Sequence, residues 1–211
     1  MKIIKIFIVF FVFCFSNFCK VNQTNEVNNS AKFTILYDNY VYDENLKPGW
    51  GFSCLVECDN KTILFDTGDK EKIFKDNIEK LNIDISKIDD IVISHEHFDH
   101  VGGLDYILSI NSDVTVYFPA CVPDKLITSV EEKGAEVVKL DKPFKLTDNI
   151  YITGEMAEIE QSLIVNTCKG MVIVTGCSHQ GIVEIIEKSR EIIDNDIYLV
   201  FGGFHLLGQS K

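Results

Sequence analysis

The stretch Ser94-His95-Glu96-His97-Phe98-Asp99-His100, directly after the apolar run Ile91-Val92-Ile93, constrains this chain more than any other. Three imidazoles and their neighbouring carboxylates crowd into it, although the whole chain has only 5 histidines. Such a cluster is costly to assemble unless something positively charged holds it. On extended backbone His95 and His97 point the same way. Asp99 and His100 then open a turn into Val101-Gly102-Gly103-Leu104, which reads as a helix start. A strand end and a helix start would thus aim their side chains at one or two divalent cations. Imidazole and carboxylate suit zinc, iron and manganese. The competing reading is a solvated polar turn that happens to be rich in histidine.

The 211 residues fit one domain of ordinary size, and 46% hydrophobic content argues for a packed core rather than disorder. A formal charge of −12 without a basic cluster excludes sequence-nonspecific nucleic-acid binding, because phosphate contacts need Lys and Arg. The N-terminus reads separately. Met1-Lys2-Ile3-Ile4-Lys5 is a short basic start, and the apolar run from Ile6 to Phe15 is too short to span a bilayer but has the form of a secretory h-region. Ser16-Asn17-Phe18-Cys19 loosely resembles a lipobox, with Cys19 as the acylated residue. Residues 1–19 are therefore expected to be a signal peptide or lipoprotein leader, 20–31 a flexible leader, and 32–211 the folded domain. The expected location is exported, periplasmic or lipid-anchored, and cytoplasmic if the leader is a mis-called start. Membrane contact is expected only through that leader or its lipid. Of 7 cysteines, those in the body (Cys54, Cys58, Cys121, Cys168, Cys177) form no disulfide framework and read mostly as small apolar core residues, Cys177 included.

From residue 32 the pattern alternates strands and helices. Strands are expected at 33–37, 51–57, 62–65, 90–94, 114–118, 136–140, 149–153, 161–167, 171–175 and 197–201. Helices are expected at 71–81, from the His-rich turn to 110, at 123–133 and at 182–193. All five histidines (His95, His97, His100, His179, His205) then fall just past the ends of three strands. Ligands of mixed α/β sheets bind outside the carboxyl ends of strands.

Phe65-Asp66-Thr67-Gly68 followed by His95-x-His97-x-Asp99-His100 resembles the metallo-β-lactamase superfamily. Gly49-Trp50-Gly51-Phe52-Ser53, Gly176-Cys177-Ser178-His179 and Gly202-Gly203-Phe204-His205-Leu206 resemble its branch of 7,8-dihydropterin-6-yl-methyl-4-(β-D-ribofuranosyl)aminobenzene 5′-phosphate synthases. The resemblance implies a four-layer αββα sandwich of α/β class, with His95 and His97 on a first metal, Asp99 and His100 on a second, and His179 as a further ligand. Asp66 is implied as the partner that orients a metal-binding histidine. Asp99 and His205 are the implied catalytic residues, His205 as a ligand or as a substrate-facing acid or donor. One or two divalent ions are implied, zinc first, with iron or manganese as alternatives. Relatives continue to a His-Cys-Thr-Gly segment with a last metal ligand, so a C-terminally truncated domain lacking its last helix and strand is expected. The isolated histidine usual before the later strands is replaced here by Glu158-Ile159-Glu160-Gln161. The implied function is hydrolysis of a small-molecule ester or phosphoester by activated water. A dihydropterin-linked synthase (a transferase) and a non-catalytic metal-binding protein are the alternatives.

Overall fold

The computed structural model describes residues 30–40 and 42–205, so the leader expected over 1–19 lies outside the described residues. Six strands form the first sheet: β1 (Lys32–Tyr37), β2 (Ser53–Cys58), β3 (Lys61–Phe65), β4 (Asp90–Val92), β5 (Thr115–Pro119) and β6 (Glu136–Leu140), adjacent in chain order. β1 to β3 run antiparallel, with the Asp59-Asn60 hairpin between β2 and β3 taking positive φ at both turn residues. From β3 to β6 the pairing is parallel, each strand separated from the next by helical or irregular crossover chain. The second sheet is ordered β11-β10-β9-β8-β7, from β7 (Phe144–Lys145), β8 (Ile150–Ile152), β9 (Leu163–Thr167), β10 (Gly170–Thr175) and β11 (Ile197–Gly202). The helices are α1 (Glu71–Lys80), α2 (Phe98–Val101), α3 (Leu104–Ile110), α4 (Asp124–Glu131) and α5 (Ile182–Ile192).

The period-two alternation of the strands decides the layers. Leu55, Leu64, Ile91, Val116 and Phe118 face one way, into a core shared with Phe74 and Ile78 of α1, Ile107 of α3 and Val130 of α4. Their neighbours Cys54, Val56, Ile63, Phe65, Val92 and Tyr117 face the other way, against Ile150, Ile152, Leu163, Val165, Val172 and Val174 of the second sheet. Burying each such side chain stabilises the fold by about 1.5–3 kcal/mol, so the inter-sheet layer is the main joint of the molecule. Met171 and Ile173 point away from that layer yet are fully buried. In α5 Ile185 is fully buried too, and Glu191 and Ile192 of that helix border a cleft with Tyr151 of the second sheet. The result is the expected αββα sandwich.

Some local expectations needed correction. The strand expected to reach residue 94 ends at Val92, because the Ser94 amide donates to the Asp66 carboxylate (2.7 Å) rather than to a strand. The helix expected to run from the His-rich turn to 110 is broken into α2 and α3, where the Gly102 and Gly103 amides turn to the carbonyls of Gly68 (2.8 Å) and Thr67 (3.1 Å). A 3-10 turn at Ile85–Lys87 and the two-residue β7 had no signal of their own. Cys54 and Cys58 are core residues as expected, whereas Cys121 and Cys168 are exposed and Cys177 is half-buried.

Candidate metal centre

The loops after β3, β4, β10 and β11 meet at one edge of the sandwich, and all five histidines are there. Asp66, fully buried with φ +54, is the anchor. Its Oδ1 accepts the Ser94 amide (2.7 Å), and its Oδ2 accepts the Ser94 hydroxyl (2.7 Å) and lies 2.6 Å from His100 Nδ1. Because the Ser94 hydroxyl proton is committed to Asp66, Ser94 Oγ is left to accept from His95 Nδ1 at 2.9 Å. This network assigns the Nδ1–H tautomer to His95 and leaves its Nε2 lone pair pointing outward.

That lone pair is not alone. His97 Nδ1 lies 3.0 Å and His179 Nε2 3.3 Å from His95 Nε2. Ligand atoms of all three residues fall within 4.8 Å of one another. Burial, then the neighbouring His100, His97 and His179, push the His95 imidazole down to about 2, so it stays neutral. His179 is also lowered, by burial and then by His205 and His97. Imidazole nitrogens that converge this closely are what a divalent cation requires, so these residues fit the metal that the sequence pattern implied.

On the far side of His95, burial would disfavour the charged His100 ring, but Asp66 and then Asp99 outweigh this and hold its pKa well above the usual range. Burial would likewise raise Asp99, but the hydrogen bond and charge of His100 hold it at about 2. The Asp99 carboxylate is 3.5 Å from His100 Nε2, and Cys177 Sγ is 3.2 Å from the same nitrogen. His205 is exposed, and its ring centre lies 4.7 Å from that of His179, the two planes tilted by 51°.

Two glycines make the approach of these loops possible. A Cβ on Gly176 would lie 2.2 Å from Ser94 Oγ, so only glycine lets the loop after β10 close on the His-rich turn. A Cβ on Gly51 (φ +120) would lie 2.0 Å from the Asp99 carbonyl oxygen, so the loop before β2 is equally tight against α2. Every site residue expected from the sequence (Asp66, His95, His97, Asp99, His100, His179 and His205) is therefore gathered here. Sequence reasoning missed Glu160 and placed Cys177 in the core. Glu160 is fully buried, its carboxylate accepts the amides of Cys177 (3.2 Å) and His179 (2.9 Å), and its Oε2 is 3.8 Å from His95 Nδ1. The segment Glu158–Gln161 stood out as replacing a usual histidine, but nothing local singled out Glu160 within it. Cys177, two residues before His179 at a strand end, carried a positional signal that composition arguments overrode.

Fold and site together define an αββα protein whose strand ends carry a histidine and carboxylate cluster able to hold divalent ions. Residues 47–122 match the model of the metallo-β-lactamase superfamily. A Methanocaldococcus jannaschii protein named 7,8-dihydropterin-6-methyl-4-(β-D-ribofuranosyl)-aminobenzene-5′-phosphate synthase is 30% identical over 86% of this chain and 79% of its own length. The chain belongs to the metallo-β-lactamase superfamily. Among solved structures, one described as a metal-dependent hydrolase of the β-lactamase superfamily superposes with a TM-score of 0.68 at 28% identity, covering 85% of this chain and 78% of that one. An N-acyl homoserine lactone hydrolase shares the fold (TM-score 0.56, 14% identity, 82% of this chain and 91% of that one).

Proposed function

We propose that the protein is a metal-dependent hydrolase acting on an ester or phosphoester of a small molecule. The observation that carries this reading is the convergence of His95, His97 and His179 nitrogens, with His100 and Asp99 beside them, at an open edge of the sandwich. His95, His97 and His179 would hold one divalent ion, zinc first, with iron or manganese as alternatives, and Asp99 and His100 would hold a second. Such ions supply Lewis acidity that polarises an ester or phosphoryl oxygen and brings the ionisation of water to about pH 7.

The remaining work falls to the chain's own groups. Asp66 orients His100 directly and His95 through Ser94, so both rings present Nε2 to the site. Asp99, ionised across the working range, accepts a hydrogen bond from the attacking water and orients it. His205, exposed beside His179, would donate to the departing oxygen. The acidic chain without a basic patch supports a small-molecule partner rather than nucleic acid. The basic and apolar leader supports export, and an exported location favours hydrolysis over pterin synthesis.

The Methanocaldococcus jannaschii relative supports a second reading, a synthase reaction on a phosphorylated dihydropterin compound, by the same residues. Metal analysis of the purified chain and a panel of phosphodiesters, lactones and β-lactams separate the two. Hydrolysis of one class, lost in His95→Ala together with metal, is the expected result. A metal-loaded chain inert on the whole panel favours the synthase, and a folded chain that binds no metal leaves a non-catalytic protein.

A further inference from the structure

We propose that Gln161 is a positioning residue for the metal centre, setting the separation of its two halves by tying strand ends of the first sheet to the second. The inference rests on the metal-centre reading above and extends it. Gln161 is fully buried in the chain between β8 and β9 of the second sheet, yet the three hydrogen bonds it donates all reach the first. Its backbone amide donates to the Ser94 carbonyl (2.9 Å), and its side-chain Nε2 donates to the carbonyls of Ile93 (2.9 Å) and Tyr117 (3.0 Å). β4 pairs with β5 only as far as Val92 and Tyr117, so these carbonyls lie where the ladder stops. The NH2 group of a glutamine can serve two carbonyls at once, and an apolar side chain of the same length can serve neither.

What lies on either side of Gln161 gives these bonds their consequence. The Ser94 carbonyl belongs to the planar peptide bond that carries His95, so the Gln161 amide fixes the orientation in which the His-rich turn starts. One residue back, Glu160 accepts the amides of Cys177 and His179. Two neighbouring residues therefore hold both sides of the 3.3 Å approach between His95 Nε2 and His179 Nε2. Their segment is itself tied down, since the Thr153 amide donates to the Ser162 carbonyl and the Ser162 amide to the Thr153 hydroxyl, both at 2.9 Å. A second clasp joins the sheets at the other end of β3 from Asp66. There Asp59, in the β2–β3 hairpin, accepts from Thr147 Oγ1 (2.6 Å) and from Asn149 Nδ2 (2.9 Å), away from the histidines.

Zinc affinity and urea unfolding, measured side by side on the full chain, separate positioning from simple cohesion of the sheets. Gln161→Met should weaken zinc binding by about 10- to 100-fold, as the loss of an orienting partner does, and should alter the visible cobalt(II) spectrum, which reports ligand geometry. Asp59→Ala should lower the urea midpoint of the metal-free chain, yet bind zinc within about twofold of wild type and keep the wild-type cobalt spectrum, because the two clasps are far apart. Gln161→Asn, which keeps the amide one methylene short, should lie between wild type and Gln161→Met, and it carries the test alone if Gln161→Met does not fold. Wild-type zinc affinity and cobalt spectrum in the folded Gln161 variants, or an equal loss of affinity in Asp59→Ala, would overturn the proposal and leave the hydrolase reading standing. A wild-type chain that takes up neither zinc nor cobalt would overturn both.

Discussion

Glu160 shows what one buried carboxylate does for a site it does not enter. It accepts the amides of Cys177 and His179 and so holds the loop after β10 in place. Burial, only partly offset by those two hydrogen bonds, raises its pKa from 4.5 to about 7. The folded chain therefore holds a proton on Glu160 that the unfolded chain releases, and the sign follows. This contribution is fully present below pH 4.5 and is lost as pH rises through about 7. At about 1.4 kcal/mol per pKa unit, the loss across that window is on the order of 3 kcal/mol. Glu160→Gln mimics the protonated form and should abolish it. Urea unfolding in the presence of chelator, from pH 5 to pH 8, should show the variant gaining stability relative to wild type by that order. A pH-independent difference between the two would refute the role.

The loop after β10 carries Cys177, Ser178 and His179 as one element, and its approach to the His-rich turn is set by a missing side chain. Gly176→Ala places a methyl 2.2 Å from Ser94 Oγ and 2.6 Å from Ser94 Cβ, against groups already fixed by Asp66. Relief of that clash must push the two loops apart. Overpacking of this kind costs about 1–3 kcal/mol. Because His179 moves with the loop, zinc affinity should also fall by about 10- to 100-fold, as when an orienting partner is lost. Val183→Ala, on the exposed face of α5, should stay within about 0.5 kcal/mol of wild type and bind zinc normally. Paired urea unfolding and zinc titration check both variants, and unaltered zinc binding in Gly176→Ala would show that the loop tolerates the shift.

Across the whole molecule, the side chains of the candidate centre come from both sheets. His95, His97, Asp99 and His100 follow β4 of the first, whereas Cys177, His179 and His205 follow β10 and β11 of the second. An ion bound between them would act on the folded state alone and tie the halves together. At a free concentration 100 times its dissociation constant it adds about 2.7 kcal/mol. For a domain of this size that is a rise of roughly 5–10 °C in unfolding temperature. Thermal unfolding with zinc and with chelator should show this rise in the wild type and lose most of it in His179→Ala. An equal rise in the variant would mean that the second sheet does not take part.

The sequence by itself determined the alternation of strands and helices, the two-faced strands of the first sheet and the crowding of histidines past strand ends. These are local properties, carried by periodicity of two or 3.6 residues and by the chemistry of neighbours. The His95–His100 cluster was legible for the same reason, since its members lie within one turn of chain. Only the tertiary structure decided what faces what across the two sheets. Cys177 lies 77 residues from His100, and Glu160 lies 17 from Cys177 and 19 from His179, so their contacts depend on how the sheets pack and on the space left at Gly176. Composition treats Cys177 as one more small apolar residue. The packing of two sheets turns its sulfur toward the imidazole of His100.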